Sequence, residues 1–127
     1  MKAIPIAGRK EDAALMEKAF VDIEQALRDG ELVCIFPEGG LTNDGELHEF
    51  RPGVERILDK SPVPVIPMAL RGLWGSWFSR RGGVAMAKRP RRFWSHIELV
   101  IGEPMLAKDA TAERLEGVVR ELRGDWK

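Results

Sequence analysis

The sequence predicts an α/β domain with a layered, mostly parallel β-sheet and flanking helices. Short apolar runs of strand length alternate along the chain with segments of helical periodicity, which favours layered α/β architecture. The most apolar run, Leu32–Phe36, contains no charged residue. Such continuous runs are typical of strands buried on both faces of a parallel sheet. Cys34, the single cysteine, lies in this run and is predicted to be a small buried core residue.

The helices and the other strands follow from their own patterns. Apolar residues recur at helical spacing from Glu11 to Asp29 and from Asp109 to Arg123, which predicts two amphipathic helices. Pro52 is placed to open a shorter helix between them. The remaining predicted strands are Lys2–Ala7, Val63–Leu70 and Ile97–Ile101, and Gly72–Arg92 is predicted to be a long loop.

The charges are segregated although the formal net charge is zero. The segment from Lys60 to Ile97 holds eight basic residues and no acidic one, interleaved with aromatic residues. This pattern indicates an anionic partner, and the alternative is a solvated basic face over ordinary core aromatics. A nucleic-acid partner is not expected, because the chain is neutral overall and carries no known motif. We therefore predict contact with an anionic membrane surface, through Trp74, Trp77, Phe78, Arg80 and Arg81.

The residues best suited to bind a ligand run from Phe36 to Thr42, in the sequence F-P-E-G-G-L-T. Glu38 follows a predicted strand, where ligands of α/β sheets bind. Gly39 and Gly40 permit close approach to backbone N–H groups, and Thr42 adds a hydroxyl donor. A carboxylate beside such a loop can hold a polyol while the amides hold a phosphate. A tight turn after a strand would show the same pattern.

This motif resembles the third block, F-P-E-G-x-x-S/T, of the lysophospholipid acyltransferase family. Val63–Pro67, V-P-V-I-P, resembles the fourth block, and Ile4–Arg9 resembles the second, with Arg9 as its arginine. The three blocks stand in the family's order and spacing, and the likeness extends from Ile4 to about Pro104. It implies a glycerolipid acyltransferase fold, and as acceptor-binding residues it implies Arg9, Glu38, Gly39, Gly40 and Thr42.

The resemblance also implies the chemistry. Family members move an acyl group from acyl-CoA or acyl-carrier protein to a lysophospholipid hydroxyl, with no other cofactor and no metal. Their general base is the histidine of an H-x-x-x-x-D block. Here His48 and His96 are followed five residues later by Gly53 and Ile101. We therefore expect residues 1–127 to be the C-terminal part of one acyltransferase domain, with no catalytic residue in this chain and no activity by itself.

Details of the motif favour one acceptor class. Leu41 stands where many members that acylate glycerol phosphates have arginine, and a leucine suits a less charged acceptor. The segments Phe50–Gly53 and Ala69–Ser76 resemble the bacterial branch that reacylates 2-acyl-glycerophosphoethanolamine. The competing interpretation is a non-catalytic α/β module that binds phosphate or an anionic surface, although neither G-x-x-x-x-G-K-S/T nor G-x-G-x-x-G is present.

The expected location is cytoplasmic and peripheral, at the inner face of the cell membrane. The apolar runs Leu32–Phe36 and Val63–Leu70 are predicted to be strands that need cover on both faces. If that cover is missing, their open edges can pair with another copy. We therefore also expect self-association of this chain.

Overall fold

A computed structural model describes residue 4 and residues 12–40, 42–74 and 96–125. Within these ranges the chain forms a mixed α/β domain of three helices and two short strands. The predicted strand Lys2–Ala7 lies outside the described residues except for Ile4, as does most of the predicted loop Gly72–Arg92. In chain order the elements are α1 (Ala13–Arg28), α2 (Gly53–Lys60), β1 (Met68–Arg71), β2 (Glu98–Ile101), a 3-10 turn (Ala107–Asp109) and α3 (Ala112–Arg123).

All three predicted helices are confirmed, and side-chain caps explain where two of them begin. The Asp12 carboxylate accepts the Leu15 N–H at 2.9 Å, so α1 begins after Asp12. Thr111 caps α3 in the same way by accepting the Arg114 N–H at 3.2 Å. The last helix therefore begins three residues later than Asp109, which belongs to the preceding 3-10 turn.

The two strands form an antiparallel pair, whereas the sequence predicted a mostly parallel sheet. Met68 lies opposite Ile101 and Arg71 opposite Glu98, and a bridge between Val65 and Met105 continues the pairing. The mixed α/β character is confirmed, but the described strands do not form a layered parallel sheet. Alternation of helices and strands indicates fold class, whereas strand direction depends on which segments meet in three dimensions.

The prediction of a buried strand at Leu32–Phe36 was wrong. This segment has no regular secondary structure, Leu32 is 100% exposed and Phe36 is 75% exposed. Cys34 is also exposed, so it is not a core residue. The reason is tertiary: among the described residues, no strand lies beside this run to cover it. An apolar run indicates a need for burial, and only neighbouring elements can satisfy that need.

The core lies between α2, α3 and Phe50, which belongs to the segment before α2. Its buried members are Phe50, Val54, Leu58, Ala110 and Leu115. Two carboxylates join the elements across this core. Glu116 of α3 accepts the Phe50 N–H at 3.1 Å, and Glu55 of α2 accepts the Ala112 N–H at 3.2 Å. The first bond holds the segment that precedes α2, and the second holds the start of α3. The segment before α2 also contacts the candidate site, through His48 and Arg51.

The two faces of the β1–β2 sheet differ in how far other elements cover them. α3 packs on one face, where Ala69 is buried, and the Arg71 guanidinium donates to the Leu122 carbonyl oxygen of α3. The opposite face presents apolar side chains that are roughly half exposed: Met68, Leu70, Leu99 and Ile101. This apolar face is compatible with the predicted self-association, which stays a prediction.

Glu116 is expected to make the stability of this core dependent on pH. The hydrogen bond from Arg120, together with that from the Phe50 N–H, holds the pKa of Glu116 below its ordinary value of about 4.5. A lowered folded-state pKa contributes stability at pH values above about 4.5, and that contribution is lost as the pH falls through the lowered pKa. We expect Glu116→Gln to lower the melting temperature at pH 7, and we expect its difference from wild type to shrink as the pH falls from about 4.5 through the lowered pKa of Glu116.

Thermal melts from pH 7 to pH 3 would measure this convergence. Glu121→Gln is the matched control, since Glu121 lies on the same helix and is exposed. A difference between wild type and Glu116→Gln that stays constant over the whole pH range would contradict the assignment.

Candidate functional site

The candidate site is built around the turn from Phe36 to Gly40. The Gly39 N–H donates to the Phe36 carbonyl oxygen at 3.2 Å and closes the turn. Gly39 has a φ of 70°, a left-handed conformation that favours glycine. The Gly39 amide is used inside the turn, whereas the amide of exposed Gly40 makes no hydrogen bond within the described part of the chain.

Glu38 is half-buried and is held in place by the segment that leads to α2. Its Oε2 accepts the His48 N–H at 3.1 Å. In the part of the chain that the structure describes, its Oε1 accepts no hydrogen bond. One carboxylate oxygen therefore anchors the side chain and the other is free to accept a bond from a ligand hydroxyl.

Arg51 holds the same turn from two directions, and the sequence did not single it out. Its N–H donates to the Pro37 carbonyl oxygen at 2.9 Å. Its guanidinium lies against Gly39, where an added β-carbon would be 2.6 Å from Nε and 2.8 Å from Cζ. Glycine at position 39 is therefore needed for the approach of Arg51 as well as for its positive φ. A signal was present in the sequence, since Arg51 is the first lysine or arginine after Arg28.

Thr42 lies in a second turn, and its hydroxyl is already engaged there. Thr42 Oγ1 donates to Asp44 Oδ1 at 2.5 Å and accepts the Gly45 N–H at 3.0 Å. Asp44 Oδ1 also accepts the Glu46 N–H at 2.9 Å, and it is 3.9 Å from His48 Nε2. Thr42 therefore organises the loop locally in this structure, and its predicted contact with a ligand stays a prediction.

The second turn is tied to the rest of the domain at Gly45. Gly45 is buried, with a φ of 81°, and a β-carbon there would lie 2.6 Å from the Trp74 ring. The Arg123 guanidinium of α3 donates to the Gly45 carbonyl oxygen. Trp74 is half-buried against this turn, and its predicted membrane contact stays a prediction.

The structure thus places Glu38, Gly39 and Gly40 in one exposed turn, with Thr42 in the turn that follows. Among the described residues, no cluster of three or more histidine, cysteine, aspartate or glutamate side chains could hold a metal ion. Within the same residues, no helix is both long and apolar enough to cross a bilayer. The other predicted site residues lie outside the described part of the chain: Arg9, Trp77, Phe78, Arg80 and Arg81.

Fold and site together define a mixed α/β domain whose exposed carboxylate–glycine turn suits a hydroxylated ligand. Comparison with known proteins gives the family. The chain belongs to the Acyltransferase family, whose model matches residues 1–71. It is also similar to a Mycoplasma pneumoniae protein named "Probable 1-acyl-sn-glycerol-3-phosphate acyltransferase", with 28% identity over 83 residues.

That match covers 65% of this chain and 30% of the Mycoplasma protein, so the chain spans less than a third of its relative's length. No solved structure matches the chain. The resemblance inferred from the F-P-E-G motif is confirmed at the level of the family.

Proposed function

We propose that this chain carries acceptor-binding residues of a glycerolipid acyltransferase. The enzyme would transfer a fatty acyl group from acyl-CoA or acyl-carrier protein to a lysophospholipid hydroxyl. Membership of the Acyltransferase family and the printed name of the Mycoplasma relative support this class of reaction. The observation that carries the proposal is the geometry of Glu38, whose Oε2 is anchored while Oε1 faces no other partner among the described residues.

In this reaction the acceptor hydroxyl attacks the thioester carbonyl, the thiol leaves and a general base takes the hydroxyl proton. Glu38 would accept a hydrogen bond from the glycerol backbone and so orient the acceptor for attack. The Gly40 amide would add one donor for an acceptor oxygen. No step is assigned to His48 or His96, because neither begins an H-x-x-x-x-D block.

We propose a lysophospholipid with a phosphodiester head group, such as 2-acyl-glycerophosphoethanolamine, as the acceptor. The absence of a basic residue from Phe36 to Thr42 supports an acceptor less charged than a phosphate monoester. The Mycoplasma relative is named for a monoester acceptor, 1-acylglycerol-3-phosphate. Competition between the two lipids for binding to this chain would decide between them.

We also propose that the protein works at the inner face of the cell membrane, where such acceptors reside. The basic and aromatic composition between Lys60 and Ile97 supports attraction to anionic lipid. Binding to anionic vesicles should then weaken as the salt concentration rises, because exposed charges are screened.

Glu38→Gln should weaken binding of monomeric lysophosphatidylethanolamine by roughly tenfold, since a hydrogen bond to a charged group is replaced by a weaker one. Titrations followed by NMR chemical shifts would measure this, with the lipid kept below its micelle concentration. Glu49→Gln is the control, because Glu49 is exposed and its substitution removes the same charge from the same segment. Equal weakening by both variants would remove Glu38 from the site.

Transfer itself can be tested in a chimera in which the matched 83-residue segment of this chain replaces its counterpart in the Mycoplasma relative. We expect thiol release from acyl-CoA in the chimera and its loss with Glu38→Gln. A chimera that binds lysophospholipid but never transfers an acyl group would favour the non-catalytic binding module instead.

A further inference from the structure

We propose that Arg51 binds the phosphate group of the acceptor, a role that no motif of the sequence assigns to it. This inference rests on the proposed function, because it adds the anion-binding group to the same Glu38 site. It starts from the position of the guanidinium, which lies directly against Gly39 in the candidate turn.

The electrostatics of the loop require a cation from elsewhere. Residues 29–50 form a stretch of 22 residues with no lysine or arginine and with six acidic side chains. An anionic ligand that approached Glu38 would be repelled by this segment alone. Arg51 follows the stretch immediately and folds back onto its centre, so it brings a positive charge to within contact distance of the turn.

Arg51 is also distinct from the other arginines that the structure describes. Within the described ranges it alone makes no ion pair, and its side chain is exposed. Each of the others lies within 4.0 Å of a carboxylate: Arg28, Arg56, Arg71, Arg114, Arg120 and Arg123. A guanidinium that is positioned by the fold yet has no anion beside it is prepared to receive one.

The backbone of Arg51 limits the freedom of this charge. Its N–H is bonded to the Pro37 carbonyl oxygen at 2.9 Å, and the preceding residue, Phe50, is buried in the core. The backbone of Arg51 is therefore held beside the turn, and its guanidinium lies against Gly39. Because guanidinium presents a planar fork of donors, it matches the oxygens of a phosphate group better than a lysine would.

The ligand chemistry is a phosphate oxyanion, which could come from a lipid head group or from free phosphate. The experiment titrates the chain with lysophosphatidylethanolamine below its micelle concentration, with glycerophosphoethanolamine, with inorganic phosphate and with monoacylglycerol, which has no phosphate. The variants are Arg51→Gln, Arg51→Lys, Glu38→Gln and the control Arg114→Gln, which removes an exposed arginine on α3.

We expect Arg51→Gln to weaken the binding of lysophosphatidylethanolamine at least about tenfold. Arg51→Lys should keep part of the affinity, and Arg114→Gln should leave it unchanged. Monoacylglycerol binding should be the same in all arginine variants, which excludes a merely structural role. Retention of binding by glycerophosphoethanolamine but not by inorganic phosphate would assign the site to the head group. The reverse preference would assign it to free phosphate.

Two results would overturn the inference, and they are distinguishable. If the affinity falls with Glu38→Gln but not with Arg51→Gln, Arg51 does not bind the phosphate, and the proposed function is unaffected. If the wild-type chain binds none of the phosphate-bearing compounds, both the role of Arg51 and the proposed function are contradicted.

Discussion

Replacing Phe50 with alanine should lower the free energy of unfolding by about 3–5 kcal/mol, the range for removing a buried aromatic side chain. Phe50 is 7% exposed and packs in the core with Val54, Leu58 and Leu115. Its loss would leave a cavity between α2 and α3, beside the hydrogen bond from the Phe50 N–H to the Glu116 carboxylate. Urea unfolding followed by circular dichroism would measure the change.

Phe36→Ala is the matched control, because the same side chain is removed from an exposed position. Phe36 is 75% exposed, so we expect a change within about 0.5 kcal/mol, as for ordinary surface substitutions. An effect of Phe36→Ala as large as that of Phe50→Ala would mean that Leu32–Phe36 is buried, as its composition alone predicted.

This pair of phenylalanines shows which parts of the fold could be predicted from the sequence. Helices are local structures, so their apolar spacing predicted their positions along the chain, whereas the caps Asp12 and Thr111 determine where α1 and α3 begin. Burial is not local. Phe36 belongs to a more apolar run than Phe50, yet Phe50 is buried because α2 and α3 meet around it.

The candidate site likewise has features that the sequence indicated and features that it could not indicate. The tight turn that the sequence left open as an alternative is present at Gly39, where φ is positive. The sequence could not indicate that Arg51, twelve residues away from Gly39, returns to lie on it. Nor could it indicate that the Thr42 hydroxyl is used by Asp44 and Gly45, since that bond depends on the conformation of the following turn.

Replacing Gly45 with alanine should be the most costly glycine substitution in the described loops, for two separable reasons. Its φ of 81° strains any L-residue, by about 1–2 kcal/mol. A β-carbon would also meet the Trp74 ring at 2.6 Å, and overpacking of this kind adds roughly 1–3 kcal/mol. The combined loss of stability is therefore expected to be about 2–5 kcal/mol.

Gly30→Ala separates the two contributions, because Gly30 has a similar φ of 77° but no atom within 4 Å of the added β-carbon. It should show the backbone strain alone, so the difference between the two variants measures the contact with Trp74. Equal losses in Gly30→Ala and Gly45→Ala would mean that Trp74 does not pack on the turn. That outcome would leave Trp74 free to contact a membrane, whereas a larger loss at Gly45 shows that its ring supports the loop that follows the candidate site.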